Sequence, residues 1–152
     1  MSDAKTILLV DDESNVRSSI KLMLRKGGYA FIEASDFDEA KEILAEKADT
    51  IALALTDFNY PGIRDNTGGA DLVELLNREH PEIPVVVMSG ESEQFEALAR
   101  QRGLQTDGLF FKLKILDKTP TRETFIDLIA SLTAGSQRSL MARRAAEHDA
   151  RL

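Results

Sequence analysis

The sequence has no cysteine, no tryptophan and only four prolines. Without cysteine there is no disulfide framework, no cysteine-ligated zinc and no thiol nucleophile. No apolar run approaches the ~18 residues needed to span a bilayer. The first run, Ile7 to Val10, is too short for a secretory signal and leads straight into acids. The expected location is therefore the cytoplasm. A positive surplus is also missing. Nineteen basic against 26 acidic side chains give a net charge of −7, which argues against direct nucleic-acid binding through the bulk field. Only residues 136–152 are basic, with four arginines against Glu147 and Asp149. The two histidines, His80 and His148, belong to no catalytic cluster.

The 152 residues, 43% hydrophobic and 30% charged, suit one globular domain. Short apolar runs alternate with amphipathic stretches. Ile7–Val10 reads as a strand buried on both faces. Ser14 is a plausible N-cap for a helix carrying Val16, Ile20, Met23 and Leu24, which Gly27-Gly28 stop. Tyr29–Glu33 forms a second strand, and Asp36 caps a helix lined by Phe37, Ala40 and Leu44. Ile51–Thr56 is a third strand. An irregular stretch follows, flexible through Asp65–Gly69, before a helix through Leu72, Val73, Leu75 and Leu76. Pro84–Met88 is a fourth strand, Ser92–Arg102 a helix ended by Gly103, and Leu109–Phe111 opens a fifth strand. Pro120 starts a last helix striped by Phe125, Leu128, Ile129 and Leu132. Alternation of this kind predicts an α/β fold, a parallel sheet with helices on both faces. Such sheets bind ligands at the carboxyl ends of their strands.

Strand one ends in Asp11-Asp12-Glu13, strand three in Asp57 and strand four in Ser89-Gly90, while strand five runs into Lys112. Parallel strands place all of these on one edge. Two carboxylates ~4 Å apart repel by about 1 kcal/mol in water and about 4 kcal/mol at an effective dielectric near 20. Three together need a cation or raised pKa values. Hard oxygen ligands without histidine or cysteine favour Mg²⁺. A carboxylate beside that ion is a competent nucleophile toward phosphorus, giving an aspartyl phosphate, and lysine would neutralise charge on the transferring group. Singly, each residue is an ordinary turn former, cap or solvated side chain. The ordered set carries the inference.

Ile7–Glu13, Thr56–Gly62 and Val85–Gly90 together resemble the receiver domain of two-component response regulators, and the likeness runs from about Lys5 to Leu132. The resemblance implies an open five-stranded parallel sheet of flavodoxin-like order 2-1-3-4-5. It implies that Asp57 takes a phosphoryl group from a sensor histidine kinase or histidine phosphotransfer protein. Asp12 would bind Mg²⁺ directly and Asp11 through water, with Asp57 and the backbone carbonyl of Asn59 completing the ligands. Lys112 would contact the phosphoryl group, and Ser89 would follow it and repack the signalling face. Asn59 and Glu91 would tune hydrolysis.

Four departures stand out. Tyr60 replaces a common methionine. The stretch Ile63–Gly69 is about four residues long in excess and reads as a lid, a partner loop or a tolerated insertion. Lys112 is followed by Leu113 instead of proline, so the loop from Lys112 to Thr119 must be rebuilt, and Lys114 or Lys118 could substitute. Leu109 stands where the family carries a switching aromatic, flanked by Phe110 and Phe111.

Residues 1–135 form the expected receiver and 136–152 a helix-prone basic C-terminal extension, either frayed or a docking or dimerisation helix. The tail is too short for an output domain, so a stand-alone, chemotaxis-type or phosphorelay receiver is expected, signalling to an output protein of unknown identity. A degenerate receiver, acting as a constitutive interaction module with impaired switching, is the alternative. A phosphatase passing through aspartyl phosphate would usually carry a second acid two residues after the nucleophile, and position 59 is asparagine.

Overall fold

The computed structural model describes residues 4–63, 65–90, 92–117 and 119–134. Five strands form one parallel sheet in the order β2-β1-β3-β4-β5. They are β1 (Thr6–Val10), β2 (Ala30–Ala34), β3 (Ile51–Asp57), β4 (Val85–Ser89) and β5 (Gly108–Phe111). The helices are α1 (Ser14–Met23), α2 (Phe37–Lys47), α3 (Gly68–Glu79), α4 (Ser92–Arg102), α5 (Lys112–Leu116) and α6 (Pro120–Ala134). Among the described residues no helix is long and apolar enough to cross a membrane.

Period-two alternation divides the core. Leu8, Val10, Ala54 and Val87 face α2, α3 and α4, against Phe37, Leu72, Leu76 and Phe95. Ile7, Leu9, Leu53, Leu55, Val86 and Met88 face α1 and α6, against Ile20, Phe125 and Ile129. Central strands are therefore apolar without a break, because each side chain has a helix to meet. Each fully buried aliphatic side chain contributes about 1.5–3 kcal/mol relative to exposure.

Local chemistry sets the boundaries. Asp36 caps α2 by accepting the Glu39 amide at 2.8 Å. Gly28 ends the turn after α1 with φ of 69°. Ser14 is not the cap of α1: Glu13 holds that position without a side-chain hydrogen bond, and Ser14 is the first helical residue. Two further expectations are corrected. The glycine pair Gly68-Gly69 opens α3 and is not part of a flexible stretch. Lys112 begins a short helix, so among the described residues there are six α-helices, not five. The segment Lys112–Leu116 has good helix formers throughout, and Arg122 closes it by donating to the carbonyls of Ile115 and Leu116. The basic tail, 136–152, lies outside the described residues.

Candidate functional site

Register brings the strand ends level. Val10 pairs with Thr56 and Asp57 with Met88, so the next residues, Asp11 and Ser89, flank Asp57 on one edge. Ser89 pairs with Phe111, and Lys112 follows at once. Asp11 and Asp57 share the strand parity that faces α1 and α6, which aims both carboxylates to the same side.

Asp11, Asp12 and Asp57 each offer a carboxylate oxygen within 4.8 Å of the others. Asp11 is fully buried and Asp57 is 4% exposed, whereas Asp12 is exposed. The Lys112 ammonium lies 2.8 Å from Asp11 Oδ2 and 3.2 Å from Asp57 Oδ2. Asp11 Oδ2 is buried, and the Lys112 ammonium is its ion-pair partner. Burial, then the Asp11 charge, raises the Asp57 pKa to about 6 against the lowering effect of Lys112 and the Phe58 amide. Burial pulls the Lys112 ammonium down, but the two carboxylates more than offset this and its pKa lies above the ordinary lysine value. One ammonium among three carboxylates leaves a negative, oxygen-only site. The three carboxylate oxygens, two buried and the third, on Asp12, exposed, suit a hard divalent cation that keeps some of its water.

The first acidic turn is held from beneath. The Asp11 amide donates to the Ala34 carbonyl at 3.1 Å, and Asp11 Oδ1 accepts the Glu13 amide at 2.9 Å. Arg17 Nη1 donates to the Asp11 carbonyl at 2.6 Å while its Nε pairs with Glu33 at 3.0 Å. Lys21 also meets Glu33 at 3.0 Å, and with Arg17 it holds that carboxyl below its ordinary pKa despite partial burial. Arg17 follows the acid pair by a turn and a half of chain, a spacing that lets it reach back over the loop.

The segment after Asp57 is pinned as well. Gly68 N donates to Tyr60 O and Gly69 N to Phe58 O, both at 2.9 Å. Asp71, 6% exposed, accepts the Ile63 amide at 2.9 Å through Oδ2 and Arg102 Nη1 at 2.9 Å through Oδ1. Arg102, at the end of α4, is thereby tied to the loop beyond Asp57. The half-buried Asn59 turns its amide toward the Asn66 carbonyl at 3.4 Å.

A family model described as the response regulator receiver domain matches residues 7–112. The chain is 37% identical over 97 residues to the nitrogen assimilation regulatory protein NtrX of Azorhizobium caulinodans, covering 63% of this chain and 20% of that protein. It is 34% identical over 105 residues to the phosphate regulon transcriptional regulatory protein PhoB of Klebsiella pneumoniae, covering 68% of this chain and 42% of that one. A CheY-like receiver structure from Methanospirillum hungatei JF-1 superposes with a TM-score of 0.68 at 20% identity, covering 90% of this chain and 99% of the other. The chain belongs to the response regulator receiver family. It spans less than half the length of these two curated relatives.

In this receiver the expected acids and Lys112 meet at one point, and buried Ser89 closes β4 on the same edge. Lys114 is exposed on α5, while Lys118 and Glu91 lie outside the described residues. Leu109 packs with the α2–α4 side and Phe110 with the opposite side, its ring 5.3 Å from that of Phe125. Sequence reasoning missed Arg17, Thr56, Asp71 and Arg102. A threonine ending the otherwise apolar run Ile51–Leu55 was a visible signal for one of them.

Proposed function

We propose that this receiver accepts a phosphoryl group on Asp57 from a phosphohistidine on a sensor kinase or phosphotransfer protein. The supporting observation is the approach of Lys112 to within 3.2 Å of both Asp11 and Asp57, beside Asp12. A carboxylate oxygen of Asp57 forms the new O–P bond as the donor's P–N bond breaks, and the electron pair leaves with the imidazole nitrogen. Mg²⁺ bound by Asp11, Asp12, Asp57 and the Asn59 carbonyl would supply positive charge for the phosphoryl oxygens. Lys112 holds the Asp57 carboxylate in place and faces the charge that arrives on it. Ser89 offers a hydroxyl to a phosphoryl oxygen. The phosphorylated receiver then signals by protein–protein contact, in the cytoplasm, to an output partner. Amide NMR with Mg²⁺ and beryllofluoride should shift Asp57, Ser89 and Lys112 in wild type and leave Asp57→Asn unchanged. Unshifted wild-type resonances would overturn the reading.

Leu109 favours a second reading, a receiver with impaired switching. No aromatic ring stands at this position to reorient with the phosphoryl group. In that case beryllofluoride would shift the pocket and leave α4, β5 and α6 unmoved.

A further inference from the structure

We propose that Tyr60 is a positioning residue for Asp57, acting through the hydroxyl of Thr56. The proposal rests on the reading of Asp57 as phosphoacceptor. Tyr60 and Thr56 are both fully buried. Thr56 Oγ1 donates to the Asp57 carbonyl at 2.8 Å and lies 2.9 Å from the Tyr60 phenol oxygen. A threonine hydroxyl has one proton. That proton is committed to Asp57, so the phenol must donate to Thr56. The result is a directed chain, Tyr60 O–H to Thr56 O–H to Asp57 C=O. Reversing it would strip the Asp57 carbonyl of this donor at a depth where an unpaired polar group is costly.

The same tyrosine fixes the other end of the segment. Its carbonyl accepts the Gly68 amide at 2.9 Å, and its ring lies where a Gly68 side chain would stand, 2.3 Å from an ideal Cβ. Phe58, next to Asp57, donates its amide to Met88 O and accepts Gly69 N, both at 2.9 Å. Tyr60 thus spans the stretch that carries Asp57 and Asn59, with its phenol at one end and its carbonyl at the other. Phosphoryl transfer depends on the nucleophile holding its attack position, and here the peptide bearing it is held by a side chain four residues away in sequence from Thr56.

The test is Tyr60→Phe, which keeps the ring and removes only the hydroxyl, beside Thr56→Val and Thr56→Ser. Amide hydrogen exchange is read at Phe58 and Gly69 against Leu8 and Val86. Phosphorylation by phosphoramidate is followed at saturating Mg²⁺. In Tyr60→Phe, exchange at Phe58 and Gly69 should quicken about fivefold, the size expected for one neutral hydrogen bond, with Leu8 and Val86 unchanged. The phosphorylation rate should fall by about the same factor. Thr56→Val should do likewise, the double variant should add nothing further, and Thr56→Ser should retain the wild-type values. Wild-type exchange at Phe58 and Gly69 in Tyr60→Phe, or additive effects in the double variant, would overturn the proposal. If Tyr60→Phe fails to fold, Thr56→Val carries the same readouts. A wild-type protein that takes no phosphoryl group would sink the phosphoacceptor reading, and the exchange data would still decide the role of Tyr60.

Discussion

Asp57 and Asp11 face each other in a site almost closed to water, with Lys112 as the counter-charge. The folded chain holds the Asp57 proton up to about pH 6, against an ordinary value of 3.8. A carboxyl raised in this way stabilises the fold most below its unfolded pKa, and the contribution is lost as pH rises through the folded one. Asp57→Asn should therefore raise metal-free stability at pH 8 by about 1–3 kcal/mol, a gain that vanishes near pH 4. Urea unfolding at the two pH values checks it, and a lower midpoint at pH 8 would contradict the burial of the pair. Lys112→Ala should do the reverse at pH 8, destabilising by about 3 kcal/mol because two buried carboxylates lose their cation. The same unfolding series reads it, and the loss should shrink toward pH 4 as the acids take up protons. At this scale the acids and the lysine that meet were legible, because each stands where an apolar run stops. Their supports were not. Arg17 and Asp71 act through backbone atoms of the loops just before their own helices, and a backbone partner leaves no mark in the side-chain pattern.

Elements were readable wherever period or punctuation was strong. The apolar runs of β1, β3 and β4, the Asp36 cap of α2 and the Pro120 start of α6 all appear where the residues place them. The segment between Asp57 and α3 was harder. Glycines there suggest flexibility, yet their missing side chains serve close approach. An ideal Cβ on Gly69 would stand 2.3 Å from Asp57 O and 2.6 Å from Phe58 Cα, which are backbone atoms with little room to yield. Gly69→Ala should destabilise by about 1–3 kcal/mol and slow phosphorylation, because the strain falls on the peptide that carries Asp57. Thermal unfolding together with phosphoramidate labelling checks both parts. The Lys112–Leu116 helix was missed for a different reason. Five residues show less than two turns of periodicity, and the closing contact comes from Arg122, which belongs to the next element.

For the whole molecule, order and register do the joining. Residues spread from Asp11 to Lys112 meet because β1, β3 and β5 run parallel and end together. The excess residues after Ile63 add no separate layer. Asp71 ties the Ile63 amide to Arg102 of α4, so the loop near the acids and that helix share one carboxylate. The most direct measurement is phosphoramidate treatment of the full chain at neutral pH, followed by borohydride reduction and peptide mass mapping, with Mg²⁺ and with chelator. One Mg²⁺-dependent acyl phosphate, read as homoserine at position 57 after phosphate leaves and absent from Asp57→Asn, is the expected result. Modification at another residue, or none at all in the presence of Mg²⁺, would contradict the convergence of these four side chains on a phosphoryl-accepting site.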